Sequence, residues 1–266
     1  MTRGFAVSAG LDPAVAEPLA ARCATLGYGS MWSGDHGADG LETLAVFAAA
    51  APGLRLGLVM DPAERDARSA VERVERLGLE PERLTIAVTA PSPDATRRAA
   101  RELGAGLAGA RILLAARSRG ELGRVESGFD GVLVSWMPPA MLEATKLGLG
   151  VSTTHNPNFV AVVHAAVGAD AETRLGREEG FARSLPAWRE HFDQLPDPGR
   201  TGVAVDTAAE MPAALAPYER ACDELVVRGL AARKLWNLNR IATAAAPSVP
   251  QSGGPGAGAS RPTSSS

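Results

Sequence analysis

The residues best equipped for chemistry are Asp35 and His36, which end the run Tyr28-Gly29-Ser30-Met31-Trp32-Ser33-Gly34-Asp35-His36. Imidazole titrates near neutrality and can give or take a proton, while a neighbouring carboxylate can orient a group or accept the proton itself. The run before them is short, apolar and β-rich. The pair is therefore expected at the carboxyl end of a strand, where parallel α/β proteins place their chemistry. His164 sits in the apolar run 160–167 and would face either a barrel mouth or the core. His155, in Thr153-Thr154-His155-Asn156-Pro157, reads as part of a surface turn. No H-E-x-x-H or comparable ligand spacing occurs, so no metal site is expected, and without a G-x-S-x-G elbow serine hydrolase chemistry is unsupported.

Positioning these groups requires a scaffold, and the pattern of the chain supplies one. Apolar β-rich runs recur at 4–8, 30–34, 54–59, 84–89, 111–115, 131–135, 159–167 and 224–227, each followed by helical spacing. Eight strand and helix units in roughly 250 residues are the size of a closed (β/α)8 TIM barrel. An open doubly wound sheet competes, but Ser8-Ala9-Gly10-Leu11-Asp12-Pro13 lacks the G-x-G-x-x-G spacing of its first turn. Helices are expected over 14–26, 41–51, 69–77 and 94–103, the last with Asp94 as N-cap. The longest connection, 169–222, is expected to hold two or three helices, including 187–195 and 207–218. Residues 1–246 thus form one barrel domain. From Pro247 to Ser266 the chain turns to Ser, Pro and Gly and reads as a disordered tail, because it has too little apolar surface to offset its ordering entropy.

Composition excludes several partners. Hydrophobic residues make up 45% and charged residues 21%, enough to build a sizeable core. A net charge of -3 argues against nucleic acid or an anionic membrane surface. No apolar run reaches the roughly 20 residues of a membrane span, and no leader-like segment opens the chain, so a cytoplasmic location is expected. Cys23 and Cys222 are isolated thiols of the kind that pack in cores. The partners expected are a small-molecule substrate and a second copy of the chain in a homodimer.

With the strands placed, a family resemblance emerges. Gly27-Tyr28-Gly29-Ser30-Met31-Trp32-Ser33-Gly34-Asp35-His36 resembles the second strand of the luciferase-like monooxygenases, the bacterial luciferase superfamily of flavin- and deazaflavin-dependent barrels. Pro52-Gly53-Leu54-Arg55-Leu56-Gly57, Glu82-Arg83-Leu84-Thr85-Ile86-Ala87-Val88, Phe129-Asp130-Gly131-Val132-Leu133-Val134-Ser135-Trp136-Met137-Pro138-Pro139 and Asp223-Glu224-Leu225-Val226-Val227-Arg228 resemble later strands in the family's order. The resemblance covers most of residues 3–245. It implies an oxidoreductase that binds FMN or the deazaflavin coenzyme F420 at the barrel mouth and moves a hydride to or from a small organic substrate. His36 and Asp35 then stand near the ring as catalytic groups, and Val59-Met60 falls where relatives bulge behind it, sometimes through a cis peptide. Thr89, Ser135 and Trp136 are further cofactor contacts on this reading, with Trp32 and His164 on the substrate. Arg117 and Arg119, which follow the fifth strand and open a helix, are candidates for an anionic group. One departure stands out: the turn after the fourth strand reads Thr89-Ala90-Pro91-Ser92-Pro93, where relatives commonly have glycines. Proline removes amide donors there, which leaves open a deazaflavin, altered binding, or a barrel with no cofactor that serves as a subunit or ligand-binding protein.

Overall fold

The computed structural model describes residues 2–34, 39–89, 92–117, 119–122, 128–152, 157–195, 201–231 and 234–247. Asp35, His36, His155, the side chain of Arg119 and the tail lie outside the described residues. The strands are β1 (Thr2–Val7), β2 (Ser30–Gly34), β3 (Arg55–Met60), β4 (Leu84–Val88), β5 (Arg111–Ala116), β6 (Gly131–Ser135), β7 (Asn158–Val167), β8 (Val203–Val205) and β9 (Glu224–Gly229). All pairings are parallel. β1 to β6 follow in order, β6 pairs with β7, β7 with β9 and β9 with β1, which closes an eight-stranded TIM barrel. β8 stands outside this ring and pairs only with Ala165–Val167 at the far end of β7.

The helices between them are α1 (Pro13–Thr25), α2 (Gly40–Ala50), α3 (Ala67–Arg76), α4 (Pro93–Gly106), α5 (Arg119–Leu122), α6 (Pro139–Ser152), α7 (Ala171–Ser184), α8 (Pro186–Asp193), α9 (Met211–Arg220) and α10 (Leu235–Ala244). Three are capped by an aspartate side chain: Asp12, Asp39 and Asp66 each accept a hydrogen bond from a first-turn amide, which satisfies donors the helix cannot. At α4 the expected cap is corrected. Ser92 is the N-cap, its Oγ accepting from the Ala95 amide at 3.3 Å, because Pro93 fills the first helical position. Asp94 instead lies in the first turn and pairs with Arg97. β8 was not anticipated, since three residues are too few to show a period. Trp236 on α10 is 65% exposed.

Strand alternation divides the apolar residues into two cores. Phe5, Met31, Leu56, Leu58, Met60, Ile86, Leu114, Val134 and Leu225 face the helices. Ala6, Trp32, Ala87, Leu113, Leu133, Val160 and Val226 face inward and fill the barrel. Trp32 is the largest of these and only 2% exposed. Its indole lies where neighbouring strands carry no side chain: a Cβ on Gly57 would come within 1.9 Å of the ring, and one on Gly4 within 3.1 Å of Nε1. The expectation that Trp32 contacts substrate is therefore corrected, because the residue is interior filling.

Below the indole, the amino end of the barrel is closed by a polar network. Trp32 Nε1 donates to Ser30 Oγ at 3.0 Å, and Ser30 donates to Glu224 Oε1 at 2.7 Å. Glu224 Oε2 meets Arg55 at 3.2 Å and Arg111 at 3.5 Å, and Arg111 also donates to Thr85 Oγ1 at 2.8 Å. A buried carboxylate is tolerated only with such partners.

Trp32→Ala is expected to lower unfolding free energy by about 3–5 kcal/mol, the range for emptying a core tryptophan site; a loss below about 1 kcal/mol in urea denaturation would contradict the interior placement. A second test concerns the carboxyl end. Arg3 donates to the Ala245 and Ala246 carbonyls at 2.6 and 2.7 Å, so contacts to the barrel persist to that point. Truncation after Pro247 should leave Tm nearly unchanged, whereas truncation after Ala244 should lower it by several degrees; equal losses would show that the tail packs on the barrel.

Candidate functional site

At the carboxyl end of the barrel the inward-facing positions reach solvent. Gly34, Val59, Ser135 and Val162 are half-buried, while the inward residues beneath them, Trp32, Ala87, Leu113, Leu133 and Val160, are buried. The result is a shelf of small side chains over an apolar floor. Among the described residues, Glu224 and its arginines occupy the opposite end. Thr89 borders the shelf and is buried, with its amide donating to the Met60 carbonyl at 2.9 Å.

One side of the mouth is covered by the connection between β7 and β9. Trp136 follows β6 and stacks on His164 of β7, ring centroids 3.7 Å apart and planes within 11°. Both are buried, at 4% and 2% exposure. His191 of α8 donates through Nε2 to the Trp136 carbonyl at 2.8 Å, and Phe192, Leu175, Ala182 and Leu230 complete the cluster around the indole. Arg183 lies over the Phe192 ring at 4.6 Å and pairs with Glu179. Arg174 donates to the carbonyls of Val167 and Leu230, tying the ends of β7 and β9 together.

Charge at this edge is balanced in pairs. Arg228, the register partner of His164, meets Glu178 of α7 at 3.1 Å. Burial holds His164 well below the ordinary imidazole pKa, and the Arg228 charge pushes the same way. Its Nδ1 is buried without a hydrogen-bond partner. Burial also lowers the pKa of His191, against the raising effect of its bond to Trp136. Just after β5, the Arg117 amide donates to Glu121 Oε2 at 2.6 Å, and its guanidinium faces the same carboxylate at 4.0 Å.

No protein-family model and no curated protein matches this sequence. Solved structures do match. An F420-dependent secondary alcohol dehydrogenase in complex with an F420-acetone adduct has a TM-score of 0.69 at 12% identity, with 91% of this chain and 97% of that chain covered. The coenzyme F420 dependent tetrahydromethanopterin reductase of Methanopyrus kandleri gives 0.63 at 13% identity, covering 91% and 97%. Long-chain alkane monooxygenase LadA gives 0.57 at 10% identity, covering 85% of each. The fold shared with them is the eight-stranded parallel TIM barrel. These similarities, at such low identity, are similarities of fold.

Within this barrel the expected residues separate. Val59 and Ser135 reach the shelf and Thr89 borders it. Met60 is corrected: alternation turns it to the helix-facing core, fully buried. The described backbone holds no cis peptide, and Val59-Met60 is regular strand paired with Ala87-Val88. Trp136 and His164 do meet at the mouth, but each is covered by the other. Arg117 is held by Glu121. Cys23 and Cys222 are free and buried, each thiol pushed up to about 12 by desolvation. Among the described residues, no three His, Cys, Asp or Glu gather as a metal site, and no helix is long and apolar enough to cross a membrane. His191 and the Arg228–Glu178 pair escaped the sequence reading. The aromatic grouping Trp188, His191, Phe192 in a charged segment is the signal that would have found the first.

The two buried histidines give stability a pH dependence. The unfolded chain protonates them near pH 6.5 while the folded protein keeps them neutral to lower pH. The unfolded state therefore holds more protons in that window, and stability, full above about pH 6.5, falls as pH drops, by up to about 1.4 kcal/mol per pH unit for each histidine. Denaturation between about pH 7.5 and pH 5.5 should show this slope, flatter in His164→Phe; a flat wild-type profile would contradict the buried neutral imidazoles.

Proposed function

We propose that this protein is a flavin- or deazaflavin-dependent oxidoreductase that moves a hydride between its cofactor and a small organic substrate at the carboxyl mouth of the barrel. The observation that carries this reading is the shelf: Gly34, Val59, Ser135 and Val162 leave a half-buried, apolar-floored surface at the carboxyl end of the barrel. The fold shared with an F420-dependent dehydrogenase and an F420-dependent reductase supports it. The residues suit a planar heteroaromatic ring, since the side chains are small and His164 Nδ1 is a buried polar atom without a partner. Val59, Thr89 and Ser135 would hold the ring, and Arg117 with Arg119 carries the charge suited to the phosphate of either cofactor. Such a ring, when bound, supplies the hydride acceptor or donor. His36 follows β2 by two residues in sequence and would supply the proton that accompanies hydride transfer, with Asp35 orienting it.

Two contacts favour a second reading, a barrel that has lost cofactor binding and serves as a ligand-binding protein or subunit. Trp136 places the chain's own ring over His164, and Glu121 places the chain's own carboxylate on Arg117.

Equilibrium titration with FMN and with coenzyme F420, followed by ligand fluorescence, separates the two. The oxidoreductase reading expects saturable binding of one of them, abolished by Val59→Trp, which fills the shelf. No binding of either up to about 1 mM favours the second reading. Once a substrate is in hand, His36→Ala should lower turnover by about 10²–10⁴-fold without loss of cofactor affinity; unchanged turnover would remove His36 from the chemistry.

A further inference from the structure

Trp136 is the one non-glycine residue at positive φ among those described, at +58°. Strand alternation would send its side chain the way of Val132 and Val134, toward the helices. The left-handed step turns it over, onto the side where Val160 and Val162 line the barrel, and lays the indole flat on His164. For a bulky residue this backbone is strained. The same spot carries a second cost, the His164 Nδ1 buried without a partner. A tryptophan serving only to fill the α7–α8 core requires neither. Strain and an unsatisfied atom meeting under one ring mark a position shaped for a different occupant.

We infer that Trp136 is a built-in occupant of the mouth: its indole covers the face of His164 that a planar heteroaromatic ligand takes, and swings off β7 when that ligand enters. The inference rests on the cofactor reading above and deepens it. The latch is α8. The His191 hydrogen bond to the Trp136 carbonyl and the packing of Phe192 against the indole, with centroids 6.1 Å apart, hold the ring down. The vacated imidazole then offers Nδ1 to a polar edge of the ligand. While the latch is closed, apparent affinity is reduced by the fraction of molecules that are open, since the dissociation constant is divided by that fraction. Removing the occupant should strengthen binding, the reverse of what removing a ligand contact does.

The test titrates full-length wild type, Trp136→Gly and His191→Ala with FMN and with coenzyme F420, reading ligand fluorescence and tryptophan emission in the same samples. Glycine adopts positive φ freely, so Trp136→Gly removes both indole and strain; it is expected to bind about 10-fold more tightly or better. In wild type, saturation should red-shift the tryptophan emission as Trp136 enters water, a shift absent from the glycine variant. His191→Ala keeps the indole but loosens its carbonyl, with about 3-fold tighter binding expected, and it decides the matter if circular dichroism shows the glycine variant unfolded. Wild type that binds while the folded variants bind equally or more weakly overturns the gate and leaves the cofactor reading standing. No binding by any of the three overturns both.

Discussion

The indole of Trp32 sets what this barrel can do. A closed ring of eight parallel strands leaves an interior that side chains must fill, and here one residue fills a large share of it by lying over Gly57 and against Gly4. Those glycines answer a packing constraint, because any Cβ at 57 would collide with the ring. With the middle of the barrel solid, nothing passes through it. The mouth becomes a shelf above the indole, and its depth is fixed by how high the Trp32 layer reaches.

The two ends of the barrel follow opposite logic. At the amino end, Glu224 is desolvated among Arg55, Arg111 and Ser30, and the network is linked to Trp32 itself through Ser30. Burial and the like charge of Arg55 pull the Arg111 pKa down, while Glu224 opposes them. Such a cluster is committed to structure, since each charge needs the others. At the carboxyl end the inward side chains are small, the polar groups are paired in ways a ligand can compete with, and one backbone position is strained. Unmet polar capacity and strain at that end are where binding is expected to settle.

The barrel was legible because its signal repeats. Eight apolar runs at regular intervals fix the ring, and every one of them is a strand in the structure. What failed did so for local reasons. β8 is three residues long, below any period. Met60 and Val59 are adjacent in sequence, so a reading by position could not separate them, although alternation sends one to the helices and the other to the shelf. The stacking of Trp136 on His164 was not legible, because a left-handed residue breaks the alternation on which facing is argued. His191 comes from a helix more than fifty residues downstream of the carbonyl it holds. The Asp35-His36 pair, the strongest chemical signal in the sequence, lies outside the described residues, so its role rests on the strand that leads to it.

The most direct measurement is a crystal structure of the protein grown with saturating coenzyme F420. The account predicts ring density at the carboxyl mouth, above Val59, Ser135 and Val162, with Trp32 still filling the barrel beneath it. A ring bound elsewhere on the molecule, or a mouth still closed by Trp136 on His164 at saturation, would contradict it.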